Sequence, residues 1–193
     1  MRGCRPLVDE EVRNIVECLT GASKRDRALF LLGIKSGFRI SELLSLKIGD
    51  LLQAGRMVER VTVARRNMKK RVEGRTVLLH PEAKDALAEW FLDLESEGKL
   101  SAETFVFLSK KGGNRPVSRV HAWRVLHQAF VDTDLGGKLG THSMRKTFAN
   151  KVYDALGHDL IKTQRALGHR NINSTACYLS FREEDIDRAI LAI

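Results

Sequence analysis

The sequence predicts a mainly α-helical protein with one small antiparallel β-sheet, the α+β class. Apolar residues return at three- and four-residue intervals through most of the chain, as on the buried face of a helix. Residues 58–64 and 74–79 read instead as β-branched strands, joined by the cationic stretch RRNMKKRVEG. With 193 residues, 43% of them hydrophobic, the chain can bury one core of ordinary size.

Asp9 is placed to cap a first helix whose Val12, Ile15, Val16 and Leu19 share a face. Ser23 and Asp26 have capping-box spacing and open a second helix through ALFLLGIKS, with Gly37 placed to end it. A short helix follows from about Ser41. Beyond the two strands, Pro81 suits the first turn of a helix with Leu87, Trp90, Phe91 and Leu94 in one apolar stripe. TFVFL, residues 104–108, is a candidate third strand, and helices resume near 118–131, 142–156 and 159–167. The closing DIDRAILAI puts Ile186, Ala189, Ile190 and Ile193 on one face. That face either packs on the chain's own core or docks into a neighbouring copy. No repeat, low-complexity tract or linker divides the chain, so residues 1–193 read as one domain.

Composition excludes some classes. No run of eighteen apolar residues spans a membrane, and MRGCRPLVDEEV lacks the apolar core of an export signal. Cys4, Cys18 and Cys177 are odd in number and lack CxxC spacing, which suits free thiols in a reducing cytoplasm. The net charge of +9 is unevenly spread. Residues 56–75 hold eight Lys or Arg against two Glu, whereas residues 82–103 hold seven acids against two Lys. A basic stripe opposed by an acidic face suggests a polyanion on one side, phosphate backbone being the obvious one.

Four stretches carry side chains suited to a phosphodiester. In SGFRISEL, Arg39 falls on a tight turn between helices, and Glu42 can hold its guanidinium. The same two residues would also make a plain surface salt bridge. THSMRK sets His142 and Arg145 on one helix face. With Thr141 as N-cap, both would stand at the positive end of the helix, which attracts anions. An exposed His and Arg at a helix start is the plainer alternative. Lys69 and Lys70 lie at the tip of the cationic hairpin, where at most one does chemistry.

In LGHRNINSTACYL, Leu167 and Gly168 end a helix, His169 lies just beyond, and Tyr178 falls on a short helix capped within Asn171 to Ser174. Tyr178 either fills a core or attacks. A free phenol, with a pKa of about 10, is a poor nucleophile at neutral pH unless its phenolate is stabilised. Two arginines, two histidines and a lysine supply fixed charge for a pentavalent phosphorane, donors for its oxygens and an acid for the leaving oxygen. Neither a carboxylate cluster nor His/Cys ligand spacing points to a metal, and no cofactor is implied.

These stretches together resemble the catalytic domain of the tyrosine recombinases, the phage-integrase family of site-specific DNA recombinases, over about residues 7–182. SGFRISELLSL, a basic hairpin with lysine, THSMRKTFA and LGHRNINSTACY occur in the family's order, with a tyrosine nine residues after the LGH histidine. The resemblance implies a DNA breaking-rejoining fold and metal-independent transesterification. Arg39 and Arg145 would clamp the non-bridging oxygens of the scissile phosphate. His142 would hydrogen-bond nearby and accept the tyrosine's proton, and His169 would donate to a phosphate oxygen. Tyr178 would attack phosphorus to give a 3′-phosphotyrosine, and Lys69 would protonate the departing 5′-oxygen. The MKK loop departs from the commoner KTGK form, which leaves Lys70 open for that role. Glu42 would be structural support, and Arg65, Arg66, Lys70 and Arg71 would touch DNA phosphates.

The resemblance further implies double-stranded DNA as partner, a tetramer on paired sites that is monomeric without DNA, and a cytoplasmic location. Family members usually carry an upstream DNA-gripping domain, and here Met1 falls almost at the start of the catalytic part. Weak, low-specificity DNA binding is expected, whether the chain is a fragment or a solo recombinase. Residues 183–193 correspond to a C-terminal helix commonly exchanged between subunits. Two other functions fit in part. A type IB topoisomerase-like relaxing enzyme shares the chemistry but is usually larger. A non-catalytic DNA-binding regulator on a recombinase scaffold would not need every expected reactive side chain, yet all are present.

Overall fold

The computed structural model describes residues 3–63, 74–179, 187–188 and 190–192. The chain divides into two compact units, Met1–Phe148 and Ala149–Ile193.

In the first unit, α1 (Asp9–Ala22) starts one residue before the expected position. Asp9 is its first helical residue rather than its cap. Glu11 takes over that work from inside the helix, accepting the Val8 N–H at 2.9 Å, while Arg5 holds the same carboxylate at 2.6 and 2.8 Å. Helix α2 (Lys24–Ser36) begins as expected, with Ser23 Oγ accepting the Asp26 N–H at 3.3 Å, and ends at a left-handed Gly37. Ala28, Leu29, Phe30, Leu31, Leu32 and Ile34 are all buried, so α2 is the central helix of this unit. It packs on α1, on α4 (Pro81–Ser96) and on α5 (Arg119–Asp132).

The acidic residues of α4 are largely matched by cations of α2. Lys24 meets Asp93, Arg27 meets Glu89 and Lys35 meets Glu82, each at 2.6 Å. The acidic run seen in the sequence is therefore half of an interhelical seam. Such exposed pairs add little stability, but they fix which edge of α4 faces α2.

A short α3 (Ile40–Leu43) and a 3-10 turn (Ile48–Asp50) lead into the strands. β1 (Leu52–Gln53) and β2 (Arg56–Met57) form a two-residue ribbon that the sequence did not announce. β3 (Arg60–Val63) and β4 (Arg75–Leu78) pair antiparallel as expected, Val61 opposite Val77 and Thr62 opposite Thr76. Val61 and Val63 point inward from alternate positions. The hairpin connection, with Arg65, Arg66, Lys69, Lys70 and Arg71, lies outside the described residues.

TFVFL does not become a third strand. It makes single bridges on either side, Lys47 to Phe105 and Leu108 to Pro116. Its neighbours turn away after one residue, so pairing cannot propagate into a ladder. Its side chains serve the core instead, with Val106 and Phe107 buried, and the Val106 carbonyl accepts the Trp90 indole N–H at 2.7 Å.

Helix α6 (Thr141–Ala155) runs from the first unit into the second. The second unit adds α7 (Leu160–Leu167), capped by Asp159 and ended by a left-handed Gly168, and α8 (Ile172–Ala176), which packs on α7. Of the closing apolar stripe, Ile190 is exposed, and Ile186, Ala189 and Ile193 lie outside the described residues. No helix among the described residues is long and apolar enough to cross a membrane.

Candidate active site

The site begins with the end of α2. Gly37 has φ 61°, and a Cβ there would fall 2.3 Å from the Phe148 ring, so both the turn and the packing require glycine. The turn buries Phe38 and delivers Arg39 in extended backbone just before α3. Glu42 then fastens Arg39 twice: Oε2 accepts its backbone N–H at 2.6 Å, and Oε1 accepts Nη1 at 3.0 Å. The Arg39 side chain keeps 37% of its surface while Glu42 keeps 13%. The guanidinium is therefore anchored at its base yet open to a ligand, as the sequence suggested.

Arg145, on α6, approaches the same turn. Only 1% exposed, it donates through Nη1 to the Gly37 carbonyl and lies 3.9 Å from Glu42 Oε2. Gly33 makes the approach of α6 feasible, because a Cβ there would sit 2.7 Å from Met144 Sδ. One carboxylate and one carbonyl thus bring two guanidinium groups together.

Thr141 is the first residue of α6, not its cap. Ser143 does the capping, its Oγ accepting the Gly140 N–H at 3.2 Å, because its hydroxyl can reach back over the first turn. His142 lies in that turn and Arg145 begins the next. Desolvation at its inner edge, then the charges of Arg145, Arg39 and Lys146, push the imidazole of the otherwise exposed His142 below its ordinary value of 6.5. His142 is therefore neutral at neutral pH and able to take a proton.

In the second unit, the left-handed Gly168 releases the chain from α7, and His169 turns inward to 9% exposure. Its Nδ1 lies 2.9 Å from Thr175 Oγ1, and its carbonyl accepts from Gln164 Nε2 at 3.0 Å. The His169 and Tyr178 rings are 5.2 Å apart between centroids. Tyr178 is half-buried and lies in the turn after α8, not on a helix. The difference arises because α8 is only five residues long and is closed at Cys177. Asn150 donates to the Tyr178 carbonyl at 3.2 Å.

Arg39, Glu42, His142 and Arg145 therefore cluster in the first unit, and His169 and Tyr178 adjoin in the second. Lys69, Lys70, Arg65, Arg66 and Arg71 lie outside the described residues. Sequence reasoning missed Thr175, whose hydroxyl sets the His169 ring, and Arg75, which contacts the Gly37 turn. Thr175 had no local signal beyond its Ser-Thr context, and Arg75 looked like one cation among many. Among the described residues, no three His, Cys, Asp or Glu side chains are grouped to hold a metal ion.

Comparison with known proteins places the whole chain. The model of the phage integrase family matches residues 5–184. The probable integrase/recombinase YoeC of Bacillus subtilis (strain 168) is 29% identical over 180 residues, covering 93% of this chain and 90% of YoeC. Tyrosine recombinase XerC of Halalkalibacterium halodurans is 31% identical over 181 residues, covering 89% of this chain and 56% of XerC. The chain thus spans about half the length of this and other Xer relatives. In fold it is similar to the XerA recombinase crystal structure, with TM-score 0.75 and 23% identity over 99% of this chain and 64% of XerA. It is also similar to the XerH site-specific recombinase bound to palindromic difH substrate in a post-cleavage complex, with TM-score 0.73 and 22% identity over 96% of this chain and 52% of XerH.

Proposed function

Because the chain belongs to the phage integrase family, we propose that it breaks and rejoins double-stranded DNA by transesterification through Tyr178. What carries this reading is the gathering of Arg39 and Arg145 about Glu42 and the Gly37 carbonyl. Fixed positive charge of this kind, with the Arg39 head open to a ligand, suits a phosphorane.

The Tyr178 oxygen bonds to phosphorus as the P–O5′ bond breaks, leaving a 3′-phosphotyrosine and a free 5′-hydroxyl. The phenolic proton passes to neutral His142, and the leaving oxygen takes its proton from the hairpin lysine, Lys69 or Lys70. Arg39 and Arg145 hold the non-bridging oxygens, and His169 donates to one of them. Thr175 supports that donation by holding the ring at Nδ1; when its hydroxyl donates there, the opposite ring nitrogen carries the N–H. Since the phosphodiester is stored on tyrosine, a 5′-hydroxyl from another strand can attack it, and no external energy source enters. Strand exchange then takes place in a tetramer on paired duplexes, assembled from monomers in the cytoplasm, with Arg65, Arg66 and Arg71 on phosphates.

The test uses nicked duplexes of randomised sequence and the full 193-residue chain. A detergent-resistant DNA adduct is expected with the native chain and none with Tyr178→Phe. Paired sites recovered from that adduct should yield recombinant product. Binding without adduct would leave a regulator instead, and relaxation of supercoiled plasmid without recombinant would leave a topoisomerase.

A further inference from the structure

Arg75, the first residue of β4, is one of the eight cations between residues 56 and 75, yet only 7% of it is exposed. Burying a guanidinium is costly unless its donors are met. Its Nη2 donates to the Ser36 carbonyl at 2.7 Å and its Nη1 to the Gly37 carbonyl at 3.2 Å. Its head lies 5.1 Å from the centre of the Phe38 ring and 5.7 Å from that of Phe148, within cation–π range. Ser36 and Gly37 close α2, where the helix dipole gathers partial negative charge. Arg145 donates to the same Gly37 carbonyl. Two guanidinium groups thus share one acceptor, two residues before Arg39.

We propose that Arg75 is a positioning residue, which fixes the closing turn of α2 and through it the aim of Arg39 and Arg145. This rests on the reading of those arginines as a phosphate clamp. An anchor made of carbonyl dipoles orients a guanidinium without cancelling the charge that a phosphorane needs. Lysine does not reproduce Arg75, because its ammonium lacks the planar fork that reaches the Ser36 and Gly37 carbonyls from two separate nitrogens while its head faces two rings. Arg75 does no chemistry itself; it acts under the turn.

The test compares the full chain with Arg75→Lys, Arg145→Lys, the double variant and Phe148→Leu, on a duplex recovered as the native chain's covalent adduct. At saturating duplex, Arg75→Lys should slow adduct formation by about 10²-fold, the scale of a small misplacement of catalytic groups. Its DNA affinity should stay within about twofold, separating rate from binding. The double variant should be slower than Arg145→Lys alone but by less than the product of the two losses, because Arg75 acts partly through Arg145 and partly through Arg39. Phe148→Leu, which removes one wall of the stack, should lower the same rate by a smaller factor at unchanged affinity. The proposal is overturned if Arg75→Lys forms adduct at the native rate, if its rate and affinity fall together, or if the two losses multiply. Should Arg75→Lys fail to fold, Phe148→Leu decides, native-rate cleavage overturning the proposal and slowed cleavage at unchanged affinity supporting it. If the native chain forms no adduct on any duplex, the phosphate-clamp reading fails first and takes this proposal with it.

Discussion

Around Arg39, two helices, a strand and a carboxylate converge on one glycine turn, and nearly every group that fixes it is buried. Around Tyr178 the fixed points are of another kind: a five-residue helix before it, a bond from Asn150 to its carbonyl and a ring contact with His169. The difference separates two tasks. Charge that stabilises a transition state must be in place beforehand, since reorganising it would consume the benefit. On the proposed function, the nucleophile meets another demand, because after attack it carries the DNA end until another strand takes it. The buried turn at Gly37 meets the first of those demands.

Breaking the rigid side should do the most harm. Arg145→Lys keeps the charge but loses the planar fork, and single-turnover cleavage should fall by about 10²–10³-fold, read beside a thermal melt to exclude unfolding. Gly37→Ala should cost stability before chemistry. A left-handed residue with a Cβ is strained by about 1–2 kcal/mol, and the clash with Phe148 adds to it, so a urea titration should show a lowered midpoint.

Thr175→Val sharpens the comparison from the other side. Removing the hydroxyl takes away a partner of the buried His169 Nδ1, at a cost of about 1–3 kcal/mol. Cleavage should slow while Thr175→Ser restores both, as a paired measurement of melting and adduct rate would show.

The smallest expected effect is electrostatic. His142 is held below 6.5, so the unfolded chain binds its proton first as pH falls. His142 therefore contributes no pH dependence well above 6.5 and an increasing loss of stability as pH drops from 6.5 to its lowered value. Lys146 contributes the least of the three charges, so Lys146→Met should shift the acid limb of the cleavage–pH profile slightly upward and reduce that loss. Cleavage rates across a pH series, with melts at each point, check both.

Much of the rigid half was legible because its signals are local. A serine three residues before an N–H, a glycine at a helix end and a glutamate three residues after an arginine each act within one turn, so Ser23, Gly37 and the Arg39–Glu42 pair were readable in order. His169 followed from Gly168 in the same way. What stayed hidden depends on distant partners. Arg75 is buried only because Phe38 and Phe148 come from other elements, and TFVFL fails as a strand only because of what flanks it. The acidic run of α4 looked like a free face until α2 supplied its cations. Tyr178 was assigned to a helix because helical spacing cannot reveal where so short a helix closes.

The most direct measurement is peptide mapping of the covalent DNA complex by mass spectrometry. The account predicts a phosphodiester on Tyr178, formed by the native chain and strongly diminished when Arg39 or Arg145 becomes lysine. Attachment through any other side chain, or a Tyr178 adduct that forms equally well without those guanidinium groups, would contradict it.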